Sequence, residues 1–464
     1  MQTKISDQRA LMIVMTTVAF FLIGILYVRA NSTVMLITSG FITVALAMIS
    51  GVGWEELNDD ICENISAFIP GLLIILAVGM TVGAWIISGT IPLMIYYGLK
   101  MLTPSWFLIS SLFICIVISV TTGTSWGTIS TVGVALMGVS QGLGIPLPYT
   151  AGAIVSGAIF GDKLSPLSDT TILASVVSEV YIYDHMKYML LTTIPPLIAA
   201  LVMYWFLGRN AAGTVEGEQL SLIMSTLENN FSLNPILILP PLTVLILVAR
   251  QKPALPTFAA GIFIAGVLAF LVQDASLKDI STAIYSGYPK ETGADVVDKM
   301  LLRGGIKSML GTLAIPIGAA FFGAPLKTIG VIGILIRLVR NYAKTQKVFQ
   351  LGMFFVHSFL YMIIGSYYVT FPLFAPSVRP LYDEFDLHRA NLSRLLEDTG
   401  TAFAPVIPWS VTGAFCAGTL NVPTLDFILY SPITYGAQFF LLLYIILDFK
   451  IAIKGAVITK HRSR

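Results

Sequence analysis

What most constrains this chain is a succession of apolar stretches, each long enough for a helix to cross a bilayer, repeated from one end to the other. Leu11 to Val28 is unbroken by any charge, and a second stretch begins at Val34 after an Asn31-Ser32 turn. An apolar helix needs about 20 residues to span roughly 30 Å of hydrocarbon. Further runs lie at 67–87, 88–102, 106–120, 129–143, 149–160, 188–207, 234–249, 256–273, 308–322, 324–339, 348–371, 402–420 and 431–449. Several are too short for a plain span, so 11–14 membrane helices or half-helices are expected from these runs. The first run is longer than the apolar core of a signal peptide and has no small-residue cleavage site after it. It therefore reads as a membrane helix.

Composition agrees. The chain is 56% hydrophobic and only 11% charged, where a soluble domain carries about 25% charged residues. So few charges over 464 residues cannot coat a water-facing surface. The formal net charge of +2 offers no basic field, so no nucleic-acid partner is expected. Cys62, Cys115 and Cys416 are scattered without metal spacing. Lys450, Lys454, Lys460, Arg462 and Arg464, with Arg337, Arg340, Lys344 and Lys347, form basic clusters that the positive-inside rule assigns to the cytoplasm.

The polar stretch 208–232 divides the chain into a first transmembrane repeat, 11–207, and a second, 233–449, with a basic C-terminal tail at 450–464. The halves echo each other. Ser39-Gly40 matches Ala260-Gly261 at an offset of 221, and Gly71 and Gly83-Ala84 match Gly311 and Gly323-Ala324 at 240. Thr122-Gly123-Thr124 is matched with Thr399-Gly400-Thr401 at 277. Duplicated membrane halves place a binding site at the bilayer midplane, where broken helices meet.

Three stretches put helix breakers, hydroxyls and acids inside apolar surroundings, where polar backbone is tolerated only against protein or water. In the first, Gly123 and Gly127 permit a turn, while Thr121, Thr122, Thr124, Ser125 and Thr128 offer oxygens to a hard cation such as Na⁺. The alternative is that these hydroxyls bond back to their own helix. In the second, Asp162 and Asp169 flank Pro166 among Ser165, Ser168, Thr170 and Thr171. Intramembrane carboxylates are costly and mark ion or proton paths, so both aspartates are assigned as Na⁺ ligands. Lys163 either tunes a neighbouring aspartate, binds an organic anion, or snorkels to the surface. In the third, Asp398, Thr399, Thr401 and Ser410 surround Pro405 and Pro408. There the plainer alternative is an Arg394–Asp398 surface pair. His357 and Glu179 are weighed as proton-path residues, with a core role favoured for His357.

Gly123-Thr-Ser-Trp-Gly127 also fits the G-x-S-x-G elbow of serine hydrolases, but the strand and His–acid pair that the elbow needs are missing from this context. An intramembrane aspartyl protease lacks its Gly-x-Gly-Asp motif here. A channel is a rival that saturation kinetics would separate from a carrier.

The chain resembles the NhaC-type sodium/proton antiporter family. The resemblance is carried by Gly89-Thr-Ile-Pro92, Gly123-Thr-Ser-Trp126, the segment Gly157 to Thr171, Arg303-Gly-Gly305, and Ser393-Arg-Leu-Leu-Glu-Asp398 leading to Ile407-Pro-Trp409. It implies an all-α polytopic membrane protein of two inverted repeats, with broken helices and re-entrant hairpins, a transport domain and a scaffold domain. It further implies elevator-like antiport of Na⁺ against H⁺ across a prokaryotic cytoplasmic membrane, surrounded by lipid, with no cofactor and a homodimer paired through scaffold domains. Some relatives exchange malate for lactate, so a small organic anion is the alternative cargo. Ser410 stands where the family often has Asn, and Gly127 precedes Thr128 where it often has two threonines.

Overall fold

The computed structural model describes residues 5–211 and 217–453. Among the described residues, nine helices are long and apolar enough to cross a membrane. Two bent pairs, Glu218–Asn230 with Pro235–Ala249 and Thr424–Tyr430 with Pro432–Leu447, bring the number to eleven if each is one span. This is the architecture of a multi-pass membrane protein. The only β pairing among the described residues is an isolated bridge, Leu387 to Ile453.

Each half builds the same series of elements. A long helix, Trp54–Ile87 or Gly305–Thr328, ends in a left-handed glycine, Gly89 or Gly330, that starts a short helix, Thr90–Met101 or Val331–Tyr342. A hairpin follows. Its first arm is Pro104–Thr122 or Gln346–Ile364, and its tip turns at Gly123 (φ 69°) or Gly365 (φ 72°). L-residues with a side chain rarely adopt this conformation, which is why glycine holds both tips. The chain then re-enters a helix behind an extended residue, Thr124 or Ser366. Next comes a broken helix. In the first half it is Leu147–Lys163 followed by Asp169–Ser178; in the second it runs from Ala390–Leu396 through the π turn Glu397–Thr401, then resumes as Val411–Leu420.

The caps keep register between halves. Thr103 and Thr345 precede the hairpins, Ser168 and Ser410 cap the resumed half-helices, and left-handed Glu179 and Asn421 end them. Each pair, like the two tips, is 242 residues apart (421 − 179 = 242). The earlier rise from 221 follows from the segment between Ala254–Val272 and Asp295–Leu301, which holds the helix Leu277–Ser286, while Asp295–Leu301 itself stands opposite the start of Trp54–Ile87 (295 − 54 = 241). The pairing of Thr122-Gly123-Thr124 with Thr399-Gly400-Thr401 does not hold. The counterpart of the first tip is Ile364-Gly365-Ser366, because a tip needs a left-handed residue and an extended one, while Thr399 and Thr401 lie in a helical π turn.

The two broken helices run antiparallel and cross at their breaks. Leu147–Lys163 packs against Thr424–Phe427 and Ile428–Tyr430, which follow the end of the second broken helix, and Ser156 Oγ lies 3.1 Å from Ser431 Oγ. Asp169–Ser178 packs against Ala390–Leu396, the start of the second. The halves are therefore inverted. Trp54–Ile87 and Gly305–Thr328 pack on each other as a frame, flanked by Ala254–Val272 and Ser32–Ile49 respectively. Small residues allow close contact beside the site. A Cβ on Gly157 would meet the Leu112 carbonyl oxygen at 2.5 Å, and one on Gly161 would meet Ser119 Cβ at 2.6 Å. This is the small-x-x-x-small packing of membrane helices.

The polar stretch 208–232 is not simple linker. Ile182–Ala211 runs into it, and Gly217–Asn230 is a helix with Ile223 and Leu227 fully buried. Residues 212–216 and the basic tail beyond 453 lie outside the described residues.

Candidate cation-binding site

The first hairpin tip delivers one hydroxyl to an acid. Left-handed Gly123 turns the chain, extended Thr124 accepts a hydrogen bond from the Gly127 amide at 3.2 Å, and Ser125 opens the returning helix. From there Ser125 Oγ donates to Asp162 Oδ2 at 2.7 Å. Asp162 sits one residue before the end of Leu147–Lys163 and is buried. Its Oδ1 has no hydrogen-bond partner among the described residues. Burying a charged oxygen without a partner costs several kcal/mol, so this oxygen, like those of Glu397 and Oδ2 of Asp398, can take a proton or a cation.

After the break, Ser168 caps the resumed helix by accepting from the Thr171 amide at 3.4 Å, and Asp169 occupies its first turn. Asp169 Oδ1 accepts from the Thr170 amide at 2.9 Å. Its Oδ2 accepts from the phenol of Tyr368, which comes from the second hairpin tip. The two hairpins thus reach the two carboxylates that flank one break.

Asp162 and Asp169 line a cavity of about 660 Å³ together with Thr122, Thr124 and Ser125 from the first tip and Ser366, Tyr367 and Tyr368 from the second. Phe68, Pro70, Gly71 and Trp126 form apolar wall, and the cavity extends to Gln251, Lys252 and Pro253 in a loop of the frame. Inside it, Thr122 Oγ1 donates to the Ile118 carbonyl at 2.7 Å, leaving its lone pairs rather than its hydrogen for a ligand.

The other residues assigned from sequence lie off this cavity. Thr128 Oγ1 donates to the Thr124 carbonyl at 2.9 Å, bonding back to its own helix. Ser165 Oγ donates to the Val120 carbonyl at 2.8 Å and pins the break to the hairpin. Ser410 caps Val411–Leu420, accepting from the Gly413 amide at 2.8 Å and donating to the Ala404 carbonyl at 2.6 Å. Thr399 Oγ1 lies 2.6 Å from His357 Nδ1, and Thr401 Oγ1 is buried with no hydrogen-bond partner among the described residues. Lys163 and Asp398 pair with each other, Nζ to Oδ1 at 2.6 Å, both fully buried. Lys163 therefore does not snorkel, and Asp398 is not in a surface pair with Arg394, whose guanidinium lies 4.5 Å from the centroid of the Tyr188 ring. His357 is packed beside Phe371 and Phe374 as a core residue. Glu179 bridges Arg379 and Arg389 away from the site. His185 and His357 bond to Ser393 and Thr399, and His388 Nδ1 accepts from the Ala390 amide, so no histidine is hydrogen-bonded to Ser125 among the described residues.

Sequence reading missed Ser366, Tyr367, Tyr368 and Thr412 on the cavity wall. The signal available was Gly365-Ser366, repeating Gly123-Thr124 at the offset set by the caps.

The family described as "Na+/H+ antiporter family" matches residues 8–175 and 157–449. The Na⁺/H⁺ antiporter NhaC of Alkalihalophilus pseudofirmus is 31% identical over 450 residues, covering 96% of this chain and 96% of that protein. The malate-2H⁺/Na⁺-lactate antiporter of Bacillus subtilis is 35% identical, over 87% of this chain and 86% of its own length. The arginine/ornithine antiporter ArcD of Halobacterium salinarum is 34% identical, over 91% and 88% respectively.

Proposed function

Because the chain belongs to the Na⁺/H⁺ antiporter family, we propose that it exchanges Na⁺ for protons at the carboxylates of Asp162 and Asp169. A single observation carries this: two acids flanking one helix break share a cavity, and one buried oxygen of Asp162 has no hydrogen-bond partner among the described residues. Na⁺ is a hard cation that takes oxygen ligands in place of water. Asp162 and Asp169 supply the charge, and Thr122, Thr124 and Ser125 supply neutral oxygens. A carboxylate that holds Na⁺ cannot hold a proton on the same oxygen, so competition for one site gives exchange without a separate coupling device. Movement of the hairpins and broken helices as one body against the frame, in the manner of an elevator, would then expose the site to each side in turn.

The test is a vesicle assay with a pH-sensitive dye and pulses of Na⁺, Li⁺ and K⁺. Asp162→Asn and Asp169→Asn are expected to abolish Na⁺-driven proton movement while the protein still inserts. Wild-type rates in both variants would sink the assignment.

The cavity volume favours a second reading. About 660 Å³ is far more than a dehydrated Na⁺ fills and is within the ordinary range of small-molecule pockets. With relatives named for malate, lactate, arginine and ornithine, this reading makes the chain a cation-coupled exchanger of a small organic acid or amino acid. Counterflow of labelled malate, lactate and arginine in the same vesicles separates the two.

A further inference from the structure

Each broken helix brings an acid to the crossing. The first ends its leading half with Asp162, and the second carries Glu397 and Asp398 in the π turn just before its own break, both buried, with neither Glu397 carboxylate oxygen hydrogen-bonded among the described residues. At the register of 242 set by the caps, Asp162 answers Ala404 and Asp398 answers Ser156, so Asp162 and Asp398 are not repeats of one position but two acids brought together where the helices pack. The two acids meet different fates. Asp162 opens on the cavity, whereas Asp398 lies off it and receives the Lys163 ammonium at 2.6 Å. Lys163 is the very next residue after Asp162, so one helix end supplies an acid to the cavity and a positive charge to the other half. Both partners of the pair are fully buried, and Asp398 Oδ2 has no hydrogen-bond partner among the described residues. An ammonium is a compact point charge, of the same valence as Na⁺.

We infer that Lys163 is a tethered cation that holds, on Asp398, the position a second transported cation would otherwise take, so that mobile cations bind only on the Asp162–Asp169 side. This deepens the antiport reading and rests on it only in treating the crossing as a cation centre. Lys163 is thus a specificity-determining residue for the number of cations carried, rather than a ligand for an organic anion.

The experiment counts bound ²²Na⁺ at equilibrium on the purified full chain in nanodiscs. Lys163→Ala leaves Asp398 without its partner and is expected to bind one more Na⁺ per chain than the parent. Its melting temperature is expected to climb with NaCl, relative to choline chloride, more steeply than the parent's. The double variant Lys163→Ala/Asp398→Asn removes the acid as well and should return both readouts to the parent's. A K163A protein with the parent's Na⁺ count overturns the inference. So does one that is recovered no better in NaCl than in choline chloride, since Na⁺ then does not replace the ammonium. Asp162→Asn in the same assay reports separately on the cavity site. Loss or survival of the parent's bound Na⁺ there judges the antiport reading, while the extra Na⁺ of K163A judges this one.

Discussion

Hydroxyls of identical appearance in the sequence do different work, and the difference lies in where each hydrogen goes. Ser125 donates to Asp162, while Ser410 donates to the Ala404 carbonyl and caps a helix. A hydrogen bond to a charged group is worth about 1.5–3 kcal/mol, and 1.4 kcal/mol is about tenfold in an equilibrium constant. Ser125→Ala is therefore expected to shift the half-saturating Na⁺ concentration by tenfold or more, upward if the Ser125 oxygen also ligates the cation, as proposed. A Na⁺ titration of the dye response measures it, and an unchanged value removes Ser125 from the site. Loss of an N-cap costs about 1 kcal/mol of stability. Ser410→Ala should accordingly lower the melting temperature and leave the half-saturating Na⁺ where it was. The acids were legible at this scale, since a carboxylate among apolar runs is conspicuous. The hydroxyls were not. Thr122, Thr128 and Ser125 form one cluster in the sequence, yet the first two give their hydrogens to carbonyls four residues back. Composition cannot see that choice, because it depends on whether an acid from a distant helix arrives within reach.

At the scale of elements, apolar length announced the spans but not the turns between them. The run 348–371 reads as one segment, and the structure divides it at Gly365 into the two arms of a hairpin. Hydropathy is blind to this division because the residues on both sides are equally apolar. The second arm, Tyr367–Glu384, stays helical through Pro372, Pro376 and Pro380, residues that argue against a helix when read locally. Neighbouring helices in a membrane protein compensate the lost backbone bonds. The contact of the first hairpin with the first broken helix leaves no room for a side chain. A side chain at Gly161 would meet the Ile116 carbonyl oxygen at 2.7 Å and the Val120 backbone nitrogen at 2.8 Å, atoms that cannot step aside. Overpacking costs about 1–3 kcal/mol in a well-packed interior. Gly161→Val should lower the melting temperature, followed by size-exclusion fluorescence after heating, and should slow transport by displacing Asp162. The same substitution at Gly311, where an added Cβ meets nothing within 4 Å, should change neither.

For the whole molecule, the duplication was visible as a weak echo, and its true register emerged from caps that composition does not rank above other small residues. What the inverted halves build is a frame, Trp54–Ile87 with Gly305–Thr328, and a crossed unit of hairpins and broken helices held beside it. Which contacts are permanent and which must break during transport is a question of geometry that two cross-links can answer. Ser156 of the first broken helix touches Ser431, the residue before the helix Pro432–Leu447 that follows the second broken helix and packs on the first, Oγ to Oγ at 3.1 Å, and this helix is counted with the crossed unit. Gly71 of the frame faces Val411 of the second broken helix, where an added Cβ would lie 3.0 Å from Val411 Cγ1. Cysteine pairs at both places, in a background with Cys62, Cys115 and Cys416 replaced, are close enough to attempt a disulfide. If the crossed unit travels as one body, the Ser156→Cys/Ser431→Cys bridge ties together parts that never separate, and Na⁺-driven proton movement should persist after oxidation. The Gly71→Cys/Val411→Cys bridge ties the moving body to its frame, so oxidation should stop transport and a reductant should restore it. The opposite pattern, arrest by the first bridge and indifference to the second, would mean that the hinge lies inside the crossed unit itself. Exchange would then proceed by prying that unit apart rather than by carrying it intact across the membrane.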